Sequence, residues 1–245
     1  RLIARRIFNY FDIIIEYAPE AKVYLDKYKK KVVYISNGID MSTIPINEYY
    51  KGVSNNIKFI SVASISVWHG YDRILKGMYE YYQNNPERLI TYNCVGDGPE
   101  LSNLRKLSKE LSLENYVVFH GKKTGNDLDK LFDNSHVAFG SLAIHRLGSD
   151  IASTLKNREY CARGIPFVIA SRDNGFPEDF KYSMKVSQDE RSINVNEVID
   201  FYDSIKNSNY TTEMRKYAEE NLTWDINLKP VFEKINKSAK FRHND

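Results

Sequence analysis

The amino-acid sequence predicts an α/β fold built on a doubly wound parallel sheet that helices cover. Short runs of β-branched or aromatic residues alternate with longer segments of helical period, which is the pattern of parallel strands joined by crossover helices. The hydrophobic share of 42% over 245 residues is enough for a packed core. The strand-like runs are, in order, DIIIEYA, KKVVYISNG, IKFISVAS, LITYNCVG, NYVVFHG, SHVAFGS and IPFVIAS.

Three helices can be placed between and after these runs. PELSNLRKLSKELSL puts four leucines, from Leu101 to Leu111, on one face, with Pro99 at a first helical position. STLKNREYCARG predicts a helix over about residues 153–163. TWDINLKPVFEKINKSA predicts a closing helix near the end of the chain.

The chain divides into two parts at about residue 50. INEYYKGVSNN, residues 46–56, has no clear period and ends in turn formers, which predicts a linker. Residues 1–45 are then the end of one lobe, residues 57–222 a complete doubly wound lobe, and residues 223–245 a closing helix and tail. Because the chain starts at Arg1 in mid-pattern, we expect the N-terminal part of a longer protein to precede it.

The charge balance and the cysteines argue against several classes of function. Lys and Arg total 35 against 32 Asp and Glu, which gives no electrostatic reason to expect a nucleic-acid partner. Cys94 and Cys161 lie in apolar runs without metal-ligand spacing, so we expect buried free thiols and no metal site. No stretch of about 18 apolar residues is present, so no membrane-spanning segment is predicted.

Ligands of open α/β sheets bind beyond the carboxyl ends of the strands, where loops lead into helix N-termini that favour anions. The first such loop, SISVWHGYDR, places His69, Gly70 and Arg73 around the start of a helix. A cation and a glycine at that position suit a phosphate. The alternative is a turn with an aromatic plug and a surface pair of Asp72 with Arg73.

The second loop, VGDGPE, resembles a dinucleotide-binding fingerprint only in part. The third glycine of G-x-G-x-x-G is absent, and no convincing first βα unit with an acidic residue about 20 positions on surrounds the motif. We therefore interpret Gly96 and Gly98 as a tight strand-to-helix turn. An NAD-dependent oxidoreductase is disfavoured for the same reason.

The third loop lies in VVFHGKKTGNDLDKLF, between a strand and a helix that is capped near Gly125 or Asn126. Gly121 and Lys122 leave the end of the strand here. A backbone edge at this position could hydrogen-bond a nucleobase. The alternative is a plain solvated loop.

The fourth loop, SLAIHRLGSDIASTLKNREY, frees the backbone at Gly148 and offers Ser153 as a helix cap. Lys156 and Glu159 are three residues apart and share a helix face. A phosphate could meet the helix N-terminus and Lys156, while a ribose diol could donate to the Glu159 carboxylate. The alternative is a surface pair of Glu159 with Lys156 or Arg163, worth about 0.2–0.5 kcal/mol.

The ordered set of ISNGID, SISVWHGYDR, VGDGPELSNLRKLSKELSLENYVVFHG and LKNREYCARGIPFVIA resembles the retaining glycosyltransferases of the large group 1 family (GT4). Those proteins have two Rossmann-like lobes in the arrangement called GT-B. The resemblance covers about residues 10–235, which would be the C-terminal donor-binding lobe with the tail of the N-terminal one. It implies sugar transfer from a nucleotide diphosphate sugar with retention at the anomeric carbon, without a metal or other cofactor.

The resemblance also assigns roles to single positions. Glu159, followed by YCARGIP, matches the second Glu of the Glu-x7-Glu element, which implies a contact with the donor ribose. The first Glu would fall at Ile151, and the neighbouring Asp150 is a weak candidate for its contact with the transferred sugar. Members usually place an Arg and a Lys in the first loop, where this chain has Ser64 and His69.

Positive charge for the diphosphate must then come from other groups. The candidates are Lys156, Arg73, a protonated His69 and the helix N-terminus near Ser153 and Thr154. The same departures favour an alternative function, a non-catalytic GT-B-like scaffold or partner subunit with a degenerate donor site.

The resemblance places the acceptor site on the N-terminal lobe, of which little is present. We therefore expect this chain alone to bind donor nucleotide without turnover. The intact protein would transfer a hexose to a glycan or lipid-linked acceptor in bacterial polysaccharide or glycoconjugate synthesis, in the cytoplasm or at the inner face of the membrane. YLDKYKKK, residues 24–31, could touch anionic lipid, or it could be a solvated helix end.

Overall fold

The computed structural model describes residues 7–16, 31–47 and 55–242 of the chain. Its strands are β1 (Ile14–Glu16), β2 (Val32–Tyr34), β3 (Ile57–Ser64), β4 (Ile90–Asp97), β5 (Val117–Gly121), β6 (Val137–Phe139), β7 (Phe167–Ile169) and β8 (Ser183–Lys185). β1 and β2 form a parallel pair, and the other strands form a six-stranded parallel sheet in the order β5-β4-β3-β6-β7-β8.

Helices flank this sheet, and the predicted fold class is confirmed. They are α1 (Tyr71–Gln83), α2 (Leu101–Glu110), α3 (Asn126–Asp133), α4 (Leu155–Arg163), α5 (Val195–Ile205), α6 (Tyr210–Asn221) and α7 (Trp224–Arg242). Each strand-like run of the sequence contains a strand, and the closing helix is present as α7. The helix expected from Pro99 begins two residues later, at Leu101, and the one expected from residue 153 begins at Leu155.

The strand order fixes where a ligand can enter. After β3 the chain builds β4 and β5 on one side, and it then returns to place β6, β7 and β8 on the other. The loops that follow β3 and β6 therefore diverge at the same edge of the sheet. Such a topological switch point leaves a crevice at the carboxyl ends of the strands.

The turn after β4 packs directly on the end of β3. Gly96 and Gly98 have φ angles of +124° and +153°, where side chains are strained. A Cβ on Gly96 would lie 1.8 Å from the carbonyl oxygen of Ala63, and one on Gly98 would lie 2.3 Å from that of Ile65. The interpretation of these glycines as a tight strand-to-helix turn is confirmed.

Arg158 ties the segment after β2 to the start of α4. Its side chain is fully buried and pairs with Asp173 through both terminal nitrogens, at 3.1 and 3.0 Å. The same guanidinium donates to the carbonyls of Asn37 and Thr154, at 2.5 and 2.8 Å, and to the hydroxyl of Ser36 at 2.7 Å. Among the charged residues of STLKNREYCARG, Arg158 therefore has a structural role.

Two predicted segments lie mainly outside the described residues. They are YLDKYKKK, of which only Lys31 is described, and the linker, whose residues 48–54 are not. The division of the chain into lobes stays a prediction. Ile39, before the linker, is buried in the core of the larger sheet and donates to the Leu222 carbonyl at 2.9 Å.

Candidate functional site

The turn between β3 and α1 is held against the loop that follows β6. Leu142 N–H donates to the His69 carbonyl at 2.9 Å, and Ala143 N–H donates to the Trp68 carbonyl at 3.2 Å. Gly70 has φ +66°, and an added Cβ would lie 2.8 Å from the Ala143 side chain. Because only glycine fits here, the start of α1 has a fixed position at the switch point.

His69 is a neutral side chain within this turn. Its Nδ1 accepts a hydrogen bond from the Ser66 N–H at 2.9 Å, and its ring stacks on Tyr71 with centroids 5.4 Å apart. Burial, with a smaller effect from the Lys156 charge, lowers the pKa of His69 to about 3. The option of a protonated His69 is therefore not realised, and the side chain supplies no positive charge near pH 7.

Arg73 is built into the scaffold instead of facing the switch point. Its guanidinium is 1% exposed and donates to the Leu142 carbonyl and, at 3.4 Å, to Asp189. These contacts leave it poorly placed to hold a phosphate. The alternative surface pair is not formed either, since Asp72 pairs with Arg146 at 2.9 Å.

Lys156 is a cation without a carboxylate partner among the described residues. Its Nζ lies 3.4 Å from the Tyr71 hydroxyl and 5.7 Å from the centroid of the Tyr71 ring. Although part of the side chain reaches solvent, the surrounding protein desolvates the amine and lowers its pKa to about 7. An anion that entered here would form an ion pair with the amine and offset the free-energy cost of its desolvation.

The start of α4 holds two buried polar atoms without a partner in the described part of the chain, Thr154 Oγ1 and Asn157 Oδ1. Thr154 is the extended residue before the helix and makes no capping bond. The predicted cap, Ser153, instead accepts from the Asn37 N–H at 3.2 Å with its hydroxyl. Its carbonyl accepts from the Asn37 side chain at 2.6 Å.

Glu159 pairs with Arg163, which is the alternative that helical spacing predicted. Its Oε1 accepts from Arg163 Nε at 2.9 Å. Arg163 also pairs with Asp129 at 2.8 Å and lies 4.2 Å from the Phe132 ring centroid, so it is held from both sides. Glu159 Oε2 has no partner within the described ranges, which leaves one oxygen of the carboxylate able to accept.

Asp150 lies at an exposed edge of the site. Its carboxylate is 65% exposed and pairs with Arg172 at 2.8 Å. Ile151, at the position where the resemblance places a Glu, forms a β-bridge to Arg172. Gly148 ends the turn Ile144–Leu147 with φ +72°, a backbone conformation that glycine adopts readily.

Gly121 and Lys122 lie at the carboxyl end of β5, the edge strand two places from β3. Gly121 has φ +67° with open space where a Cβ would be, and Lys122 is exposed. The following helix is capped at Gly125 and starts at Asn126, as predicted. The structure thus brings His69, Lys156 and the start of α4 together, and it places the β5 loop farther along the same edge.

Sequence reasoning did not single out Tyr71, although it is the side chain that joins His69 to Lys156. Its only signal was an aromatic residue directly after the glycine of HGYDR. A separate groove of about 970 Å³ lies between α1 and residues 185–197. Of the predicted donor residues in the described chain, only Arg73 borders it, so this groove is not the site derived from the switch point.

The described part of the chain contains neither a metal-binding cluster nor a membrane-spanning helix. No cluster of three or more His, Cys, Asp or Glu side chains that could hold a metal ion occurs there. No helix in that part of the chain is both long and apolar enough to cross a membrane. The described cysteines, Cys94 and Cys161, are buried and free, as predicted.

Solved structures share this fold at low sequence identity. Anabaena HepE in complex with UDP and glucose is 16% identical with a TM-score of 0.70, and the match covers 96% of this chain and 66% of that one. A glycosyltransferase from Rickettsia africae is 13% identical with a TM-score of 0.68, covering 91% and 62%. Sucrose-phosphate synthase from Thermosynechococcus elongatus is 15% identical with a TM-score of 0.68, covering 97% and 61%.

The chain thus spans less than two thirds of the length of these three structures, and its larger sheet corresponds to a Rossmann-like lobe of the GT-B architecture. A comparison with curated proteins found no match. The family model described as glycosyl transferases group 1 matches residues 50–182, more than half of the chain. The chain therefore belongs to the group 1 glycosyltransferase family.

Proposed function

We propose that this chain is the donor-binding lobe of a retaining, metal-independent glycosyltransferase of the GT4 group. The observation that carries the proposal is the Lys156 ammonium, desolvated and without a carboxylate partner in the described chain, at the switch point of the sheet. A nucleoside diphosphate is the leaving group of such a transfer and develops negative charge as the sugar departs. A preorganised cation stabilises that charge.

Each of the residues around Lys156 binds a different part of the nucleotide. Lys156 and the N-terminus of α4, with the unpartnered Thr154 hydroxyl and the backbone near Ser153, hold the diphosphate. Glu159 accepts a ribose hydroxyl through Oε2 while Arg163 keeps Oε1 in place. Support comes from HepE, whose crystal structures hold UDP with glucose in one case and UDP-glucose in another.

Residues on the neighbouring loops complete the proposed site. The backbone at Gly121 and Lys122 meets the nucleobase, and Gly148 lets the backbone turn into the loop before α4, which borders the sugar. Asp150 is the weak candidate for the catalytic contact with the transferred sugar, and it would have to leave Arg172 to make it. His69 contributes a neutral ring, and Arg73 holds the loop after β6 through the Leu142 carbonyl.

The activity of the whole protein follows from the same proposal. It would transfer a hexose to a glycan or lipid-linked acceptor in bacterial polysaccharide or glycoconjugate synthesis, in the cytoplasm or at the inner face of the membrane. No resident cofactor or metal would be needed, because the lysine and the helix N-terminus supply the charge. The acceptor site would lie on the N-terminal lobe, so the present chain would bind donor without turnover.

A second candidate function is a non-catalytic scaffold with the same fold. The pairing of Asp150 with Arg172 and the isoleucine at position 151 favour it, since no carboxylate is then directed at the sugar. The two functions differ in one measurable property. A scaffold would show no nucleotide affinity that depends on Glu159.

Thermal unfolding of the chain with UDP, GDP and ADP in turn tests the proposal. At about 100 times its dissociation constant, a bound nucleotide stabilises the fold by roughly 2.7 kcal/mol. We expect one nucleotide to raise the midpoint and Glu159→Ala to abolish the rise. Lys106→Ala, at an exposed lysine of α2, is the control and should leave the rise unchanged. The absence of any shift at millimolar nucleotide would contradict the proposal.

A further inference from the structure

We infer that Tyr71 is a positioning residue that holds the Lys156 ammonium at the diphosphate site through its hydroxyl. The inference rests on the proposed function and goes beyond it, since it assigns the geometry of the cation to a residue that would not itself touch the donor. The contact joins α1 to α4 across the switch point, over 85 positions of sequence.

Tyr71 is fixed by its surroundings. It is the first residue of α1 and is 2% exposed, directly after Gly70, whose conformation and packing on the loop after β6 set the direction of the helix. The His69 ring stacks on one side of Tyr71, and the Tyr92 ring meets it edge-on at 6.5 Å. The phenol therefore has little freedom to reorient.

Lys156, in contrast, has a long side chain with many rotamers, and a fixed contact is needed to keep its amine in one place. A carboxylate partner would do this but would also neutralise the charge that an incoming diphosphate requires. The Tyr71 hydroxyl accepts a hydrogen bond from the amine without cancelling its charge. A buried tyrosine is thus a suitable holder for a lysine that must remain available to an anion.

The other titratable groups that face the amine do not change charge near neutral pH. Burial lowers the pKa of His69 to about 3, raises that of Cys94 to about 11 and raises that of Tyr71 well above its ordinary value. The Lys156 pKa of about 7 is the one among these four that falls between about pH 6 and pH 9. The terminal phosphate of UDP also ionises near about pH 6, but it does so equally for every variant. A difference in pH profile between the unaltered chain and Tyr71→Phe therefore reports the protonation of Lys156.

The sign of the effect follows from the direction of the shift. The amine is charged below its pKa in the free protein and neutral above it, so affinity for UDP should fall as pH rises through about 7. Tyr71→Phe removes an acceptor that favours the charged form. Its Lys156 pKa should be lower, and its affinity profile should move to lower pH.

Calorimetric titration with UDP and with uridine, from about pH 6.5 to about pH 8.5, compares the chain with Tyr71→Phe. We expect Tyr71→Phe to weaken UDP binding about three- to tenfold near pH 7.5, in line with the loss of one hydrogen bond, and to leave uridine binding unchanged. Tyr81→Phe is the matched control, because that hydroxyl lies near the other end of α1 and donates to the Arg88 carbonyl at 2.8 Å. It should behave as the unaltered chain does.

A second measurement needs no ligand. The pH titration of the Lys156 ε-carbon resonance in ¹³C-lysine-labelled protein should show a lower midpoint in Tyr71→Phe than in the unaltered chain or in Tyr81→Phe. Equal midpoints in all three, with folded spectra, would overturn the inference whether or not UDP binds. If none of UDP, GDP and ADP binds the unaltered chain, the proposed function fails, and the resonance titration still decides whether Tyr71 controls the amine.

Discussion

Replacing Asp173 with alanine removes the carboxylate that pairs with the buried guanidinium of Arg158. Both side chains are fully buried, and the two hydrogen bonds between them measure 3.1 and 3.0 Å. Asp173 also accepts from the side chain of Asn157 at 2.9 Å and from the N–H of Gly175 at 3.0 Å. The substitution therefore leaves a desolvated charge and two further donors without their acceptor.

Removal of one partner of a buried pair costs about 3–5 kcal/mol, because the remaining charge cannot be solvated. With about 2–4 °C per kcal/mol for a chain of this size, Asp173→Ala should lower the melting temperature by about 6–20 °C. Asp150→Ala is the control, since its pair with Arg172 is exposed and is worth about 0–1 kcal/mol. Differential scanning calorimetry of both variants gives the comparison.

The double variant Arg158→Met, Asp173→Leu separates the charge from the packing. Because it leaves no buried ion, it should recover part of the stability lost in Asp173→Ala, even though Ser36 and the Asn37 carbonyl lose a donor. The reasoning would be refuted if Asp173→Ala melted within about 2 °C of the Asp150→Ala control.

Two further predictions concern the turn after β4 and the loop after β6. Gly96→Ala should unfold at much lower urea than Gly121→Ala, because its Cβ would lie 1.8 Å from the Ala63 carbonyl oxygen whereas the other would meet open space; equal midpoints would contradict this packing. Hydrogen bonds from Arg146 and then His145 lower the pKa of Glu190 to about 2, so their stabilisation is present above the ordinary carboxyl pKa and is lost as pH falls towards 2. Arg146→Ala should therefore have a lower free energy of unfolding than the unaltered chain at neutral pH, and this difference should shrink in acid. Urea unfolding from about pH 6 to about pH 2 measures it, and a difference that stays constant over this range would contradict the prediction.

The sequence predicted the elements that carry their own local signal. β3 and β4 are apolar runs flanked by turns, and both were located to within a residue or two of their bounds. β8 was not predicted, because its residues, Ser183–Lys185, include no apolar run and owe their conformation to pairing with β7. Tertiary pairing of this kind leaves no periodic pattern to detect.

The site shows the same division. The face shared by Lys156 and Glu159 follows from helical spacing and could be foreseen. The hydrogen bonding of Arg73 and the neutral form of His69 could not be foreseen. The first depends on the Leu142 carbonyl and the second on burial by distant segments. The contact of Tyr71 with Lys156 likewise could not be foreseen, because it forms only when the sheet brings α1 and α4 together.

The central claim is that the Lys156 ammonium binds the diphosphate, and calorimetric titration of UDP and uridine against the chain and against Lys156→Met tests it most directly. The unaltered chain should bind UDP more tightly than uridine, since the desolvated amine of Lys156 pairs with the phosphates. In Lys156→Met, which keeps most of the length of the side chain and removes its charge, that preference should largely disappear while uridine binding persists. An unchanged preference for UDP in Lys156→Met would contradict the account.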